Sequence, residues 1–327
     1  MLSRVANSIY WMSRYLERAE NVARFIGVNL NLSLDMPAEF GEQWEPLVNI
    51  TGDREQYEKR YGEPVRENVL HFLTFDRENP NSILSCVRNA RENARSVREI
   101  ISSEMWEQAN HFYLMVKEAA ANKAAFNNPH DFYTAVKMES HLFDGITEAT
   151  MSHGEAWHFL QVGELLERSD KTSRILDVKY FILLPDEQVL GAAVDNIQWS
   201  ALLKSASALE MYRKHSKQIS PAKVADFLLL NREFPRSVQS CLGRAAYSLY
   251  AITGSRRDGF SNSTEKRLGK LLSELNYAQI DEIIAGGLHE FLDGLQTRLN
   301  QVDDAIYDSF FTLRPLTGNN THLTQEQ

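Results

Sequence analysis

Two cysteines in 327 residues, Cys86 and Cys241, are too few for a secreted disulfide framework, and they form no CxxC metal pair. Nine prolines and sixteen glycines leave long stretches without punctuation, and helix formers fill them. That scarcity argues against a fold of many short strands and favours long helices. No apolar run nears the length of a bilayer span; runs such as YFILL and FLLL are far too short. The opening MLSRVANSIYWMSRYLERAENVARF lacks the unbroken apolar stretch and small-residue cleavage site of a signal peptide, so a cytoplasmic location away from membranes is expected. GxGxxG, P-loop, GxSxG and HExxH patterns are missing too, which removes the commonest nucleotide and hydrolase signatures; no cofactor is expected. Positive charge is also short. Lys and Arg total 35 against 44 Asp and Glu, a net charge of −9, which suits neither nucleic acid nor an anionic membrane.

What the chain does have is a packable 43% of hydrophobic residues and a strong likeness to itself. LERAENVAR (Leu16 to Arg24) recurs as LERSDKTSR (Leu166 to Arg174), an offset of 150. FLTFDRENPNSILSC (Phe72 to Cys86) recurs as FLLLNREFPRSVQSC (Phe227 to Cys241), an offset of 155 that also carries Trp44 onto Trp199, Glu55 onto Glu210 and Tyr57 onto Tyr212. The five extra residues fall around LLPDEQVLGAAVDN. These matches predict an all-α bundle of two tandem helical repeats, 1–150 and 151–315, with a pseudo-twofold relation and a disordered tail at 316–327.

The first helix of each copy carries an apolar seam. Ile9, Met12, Leu16, Ala19, Ala23, Ile26 and Leu30 step by three and four, matched by Phe159, Val162, Leu166, Ser169, Ser173, Leu176 and Tyr180. Small residues in mid-seam admit a close neighbour: the two first helices cross near the pseudo-twofold axis, or each packs within its own half. The second motif reads as a helix stop and restart, in which Pro80 or Pro235 interrupts and Ser82 or Ser237 caps the next helix.

Beside the seam runs a polar stripe, Ser13, Glu17, Glu20 and Arg24, with counterparts Gly163, Glu167, Asp170 and Arg174. Arg18 and Arg168 complete the Leu-Glu-Arg triplets, and the break motif adds Arg77 and Glu78, matched by Arg232 and Glu233. Three roles fit this charged cluster. It can be a half-buried network that fixes helix register. It can be a site where arginines grip a peptide carboxylate or an acidic small molecule. Or Glu17, Glu20, Glu167 and Asp170 can serve as paired carboxylates in acid–base chemistry. Metal is disfavoured, because no His stands at the spacing of a di-metal bundle and arginines flank every carboxylate. TMSHGEAWHF places His153 and Glu155 ahead of the second long helix, either as a His–Glu pair or as a capping loop. Arg88, Arg91, Arg95 and Arg98 form a basic stripe, either a place for a phosphate or acidic partner or, with Glu92 and Glu99 nearby, a solvated, salt-bridged face. Cys86 and Cys241 read as core residues.

The opening segment, SSEMW (Ser102 to Trp106), TMSHGEAWHF with LLERSDKTSRILD, and FDRENPNSILSC together resemble the α-E domain family, in order and over nearly the whole chain. The resemblance implies a bacterial helical protein that accompanies a circularly permuted ATP-grasp protein and a transglutaminase-like cysteine peptidase. On that basis the chain is expected to be a non-nucleotide-binding component of a peptide- or amide-forming modification system. A stand-alone enzyme acting on amide bonds and a purely structural scaffold are the alternatives.

Overall fold

A computed structural model describes residues 1–35, 44–182, 192–256 and 259–312. Among the described residues there are sixteen α-helices and no strand. The first eight are α1 (Ser3–Asp35), α2 (Glu45–Thr51), α3 (Arg54–Tyr61), α4 (Arg66–Thr74), α5 (Ile83–Ser96), α6 (Ser103–Asn122), α7 (Ala124–Asn127) and α8 (Pro129–Thr150). Then come α9 (Glu155–Ile182), α10 (Ala192–Ser205), α11 (Leu209–His215), α12 (Pro221–Leu230), α13 (Val238–Thr253), α14 (Ser263–Tyr277), α15 (Ile280–Gly286) and α16 (Leu288–Ile306), closed by a π-helical turn at Tyr307–Phe311. None is long and apolar enough to cross a membrane. The tail expected to be disordered, and most of the segment holding the five extra residues, lie outside the described residues.

Two closed cycles of four helices organise the packing. In one, α1 packs on α5, α5 on α6, α6 on α8 and α8 on α1; in the other, α9 packs on α13, α13 on α14, α14 on α16 and α16 on α9. The cycles meet along α1 and α9, the 33-residue and 28-residue helices. At 1.5 Å per residue α1 runs about 50 Å. The shorter helices reach across this junction: α2 lies on α9, and α10 lies on α1.

Local sequence accounts for the breaks. Ser82 and Ser237 cap α5 and α13 by accepting from the backbone N–H of Ser85 and Ser240, both at 3.2 Å. Ahead of each cap the Asx side chains of Asp76 and Asn231 accept from the N–H two residues on, holding a tight turn. The run from Ile280 to Phe311 is not one helix, because Gly287 adopts φ +97° and splits it into α15 and α16.

The seam residues Ile9, Met12, Leu16, Ala19, Ala23 and Ile26 are buried, as are Phe159, Val162, Leu166, Ser169, Ser173 and Leu176; the Tyr180 side chain lies outside the described part. Burial extends all round the middle of both helices. Ala19 to Ile26 and Phe159 to Ser173 are buried at every position, polar side chains included. Both helices therefore run through the interior, and their polar stripes must find partners there.

Candidate functional site

α1 and α9 approach closely where Gly163 meets Ser13. A Cβ on Gly163 would fall within the Ser13 hydroxyl and the Tyr10 carbonyl oxygen, and the Ser13 hydroxyl itself donates to that carbonyl at 2.9 Å. Residues 13 and 163 are counterparts at the 150-residue offset, so the two helices touch at matching places.

One turn further along, the two Glu-Arg dipeptides exchange partners. Arg168 Nε and Nη2 donate to Glu17 at 3.0 and 2.7 Å. Arg18 Nε and Nη2 donate to Glu167 at 2.7 and 2.9 Å. Both are bidentate forks, the strongest geometry open to these groups. The lattice extends outward from each fork. Glu17 also accepts from Arg236 at 3.0 Å and from the Asn21 amide at 2.8 Å. Arg236 Nη2 reaches both oxygens of Glu20 at 2.8 Å, and Glu20 takes a further bond from Arg24 at 2.8 Å and meets His141 Nε2 at 2.9 Å. Across the junction, Glu167 accepts from Arg14 at 2.9 Å and lies 3.4 Å from Lys171 Nζ. Asp170 holds Lys171 at 3.0 Å and Arg174 at 2.9 Å. Arg18 Nη1 ends on Asn81, whose own amide donates to Asp53.

This lattice is dry at its centre. The side chains of Glu20 and Glu167 are 0% exposed and that of Glu17 is 2% exposed. Burial alone would raise the Glu167 carboxyl, but Arg18, Lys171 and Arg14 outweigh it and hold the group well below the usual carboxylate range. Burial is likewise overcome at Glu20 by Arg236, His141 and Arg24, and at Asp170 by Lys171 and Arg174. Carboxylates held so low stay ionised at neutral pH, and their lone pairs are committed to guanidinium, ammonium and amide donors. The arrangement is suited to holding two helices in register and unsuited to exchanging protons with a substrate. Among the described residues no three His, Cys, Asp or Glu side chains gather as metal ligands.

The lattice has one unbalanced corner. Arg14 of α1 forms an ion pair with Asp303 of α16 at 2.6 Å. Its counterpart at the 150-residue offset is Glu164, and there Asp144 of α8 takes the place of Asp303. Both acids look to one guanidinium: Arg168 Nη2 is 2.6 Å from Glu164 and 3.9 Å from Asp144. Burial and the Glu164 charge push the Asp144 carboxyl above its ordinary range.

Several side chains singled out in the sequence lie elsewhere. Arg77, Glu78, Arg232 and Glu233 are exposed and take no part in the lattice. The Asx turns explain it: backbone bonds to Asp76 and Asn231 fix the tight break and turn the next two side chains outward. The residues that reach inward from the same motif are Asn81 and Arg236, one position before each capping serine. His153 and Glu155 do not pair either. His153 stacks on Trp157 with ring centroids 4.3 Å apart and lies 3.7 Å from Glu148, while Glu155 accepts from the Met1 amine at 2.8 Å. Glu17, Arg18, Glu20, Arg24, Glu167, Arg168, Asp170 and Arg174 do come together. Sequence reasoning missed Arg14, Lys171, His141 and Arg236, although Arg14 stands at i, i+4 from Arg18 and Arg236 is adjacent to a recognised cap. Arg91 and Arg95 pair with Glu92, and Arg91 and Arg98 cover Trp106. Cys86 and Cys241 are buried, donate to the carbonyls of Pro80 and Pro235, and have thiols pushed up by burial to about 12 and about 11.

The sequence also matches a known family. Residues 1–311 match a family model described as a predicted alpha-helical domain with a conserved ER motif. The uncharacterized proteins Mb2597 of Mycobacterium bovis and Rv2567 of Mycobacterium tuberculosis are each 22% identical over 93% of this chain. The chain spans 36% of the length of these relatives. No solved structure matches it. With the family model covering residues 1–311 of 327, the chain belongs to the Alpha-E family.

Proposed function

We propose that this protein is the non-nucleotide-binding helical component of an amide-forming modification system. It holds a peptide or a partner enzyme for an ATP-grasp ligase, in company with a transglutaminase-like peptidase. The observation that carries this reading is the saturation of the lattice: Glu17 accepts bonds from three other residues, Glu167 accepts from Arg14 and Arg18 and pairs with Lys171, and both central acids are shut off from solvent. Such carboxylates act as an internal lock. What the lock secures is a helical body, and a body whose central acids are committed and whose sequence has no nucleotide motif is suited to presentation rather than to turnover. The lengths of the relatives agree with a role beside other protein modules, since the matched region there is joined to nearly twice its own length of further chain. In the same reading the chain arose by copying one helical module, so that the lock is made by one Glu-Arg pair from each copy.

Two measurements test it. A tagged chain co-expressed with a circularly permuted ATP-grasp ligase is expected to retain the ligase through purification. Gln in place of Glu17 and Glu167 is expected to lower the melting temperature. If both substitutions instead leave stability intact and abolish an amide-bond activity of the purified chain, the carboxylates are catalytic and the proposal fails.

A further inference from the structure

The polar stripe of α1 does not end in the lattice. Glu17, Glu20 and Arg24 continue at the same helical spacing to Val28 and Asn31, and these two residues form one wall of a groove of about 240 Å³ whose other walls are α10 and α11. Val28, Ile197 and Leu209 give it an apolar floor, and Lys204 and Arg213 stand at its rim. Both cations are exposed, and neither side chain takes part in an ion pair or hydrogen bond among the described residues.

The corresponding place in the first half shows what is missing. At the 155-residue offset Ser200, Lys204, Leu209 and Arg213 correspond to Glu45, Asn49, Arg54 and Glu58. There the protein's own charges pair with one another at the surface: Arg54 Nη2 meets Glu45 at 3.1 Å, and Arg54 Nε meets Glu58 at 2.7 Å. In the second half the arginine has become a leucine, and both glutamates have been replaced, by a serine and an arginine. Two carboxylates and the Arg54 cation are gone, two cations stand at the Asn49 and Glu58 positions, and buried Leu209, beside half-buried Val28 and Ile197, takes the place of the Arg54 side chain. The surrounding frame is kept. Ser207 adopts φ +50°, as Gly52 adopts φ +78° at the matching position, and Ser207 accepts from Arg24.

We infer that this groove binds a carboxylate group carried on a peptide, seated between Lys204 and Arg213 with a neighbouring apolar side chain against Val28, Ile197 and Leu209. The ligand supplies the acid that Glu45 and Glu58 supply in the first half. The inference rests on the reading of the chain as a peptide- or partner-holding component, and it names the surface that does the holding.

The experiment is a titration of the full chain, ¹⁵N-labelled, with acetyl-Leu-Glu-Leu-amide, with its Gln analogue, and with inorganic phosphate. The Glu peptide is expected to shift amides between 197 and 213 saturably, and the Gln analogue to bind about tenfold more weakly, the loss of roughly two solvent-exposed ion pairs. Lys204→Asn combined with Arg213→Glu restores the first-half residues at two exposed positions. It is expected to weaken the Glu peptide by at least the same factor while signals elsewhere stay in place. Equal binding of the Glu and Gln peptides, phosphate displacing the peptide at equal concentration, undiminished binding by the double variant, or no shift at all would each overturn the assignment. The same variant in the ligase co-purification separates the two readings. Ligase retained by a chain that no longer binds peptide removes the groove and leaves the partner role standing; ligase that fails to bind wild-type chain while the peptide still binds does the reverse.

Discussion

Replacing Glu167 by Gln keeps the shape of the side chain and removes one negative charge from among Arg14, Arg18 and Lys171, none of which can move into water without disturbing the junction of α1 and α9. Breaking a buried ion pair by removing one partner costs about 3–5 kcal/mol, because the remaining charge is left uncompensated. Unfolding entropy of about 2.1 cal/mol/K per residue gives roughly 0.7 kcal/mol/K for a chain of this length unfolding as one unit. The substitution is therefore expected to lower the melting temperature by about 4–7 °C, measured by calorimetry or circular dichroism. The pH dependence is set by the sign of the shift. The folded carboxyl titrates below its unfolded value, so its contribution is fully present above about pH 4.3 and is lost as pH falls through the folded value. The gap between wild type and variant should hold steady from neutral pH down to that point and then narrow. Glu92→Gln, which removes an exposed partner of Arg91 and Arg95, is the control and should shift the melting point by less than about 1 °C. A Glu167→Gln gap as small as that of the control, or one that widens in acid, would refute the idea that the lattice locks the helices.

Gly163→Ala places a methyl group against the Ser13 hydroxyl and the Tyr10 carbonyl, and the overpacking should cost about 1–3 kcal/mol. Gly27→Ala, with nothing within 4 Å of the new carbon, should be neutral or slightly stabilising under the same thermal scan. Asp144→Asn relieves the like-charge corner with Glu164. The folded Asp144 carboxyl titrates above its unfolded value, so its ionised form opposes folding once pH exceeds that unfolded value. With the side chain 38% exposed, water screens most of the effect, and the melting point at pH 7 should rise by roughly 1 °C; a fall would contradict the assignment. Cys86 and Cys241 should resist iodoacetamide at pH 8 in the native protein and react fully in denaturant, as read by mass spectrometry.

The helices were legible because their causes are local: few prolines, serine caps, and apolar steps of three and four. So was the stripe of Glu17, Glu20 and Arg24, because helical spacing fixes which side chains share a face. Two things were not local. The stripe was read as the edge of an amphipathic helix, whereas α8 and α10 pack on α1 and Arg236, just ahead of α13, reaches across to Glu17 and Glu20, so that the edge lies inside; nothing in α1 alone announces how many neighbours it has. The break motif was read at its charged residues, Arg77, Glu78, Arg232 and Glu233. The turn aims them outward, and only the backbone geometry of the Asx turn reveals that Asn81 and Arg236 face in. His141 joins the lattice from a helix more than a hundred residues away from Glu20, a distance across which periodicity carries no information.

The exchanged forks also bear on how the molecule comes apart. Neither central glutamate draws its guanidinium partners from its own helix, and α2 and α10 each rest on the long helix of the opposite cycle. A cut in the short link between Thr150 and Glu155 would leave two fragments, each with a stranded acid, a stranded base and a bare strip of core. Separately such pieces should be insoluble or molten; mixed, they should reassemble. The join between the two cycles is thus a matched plug and socket rather than a hinge.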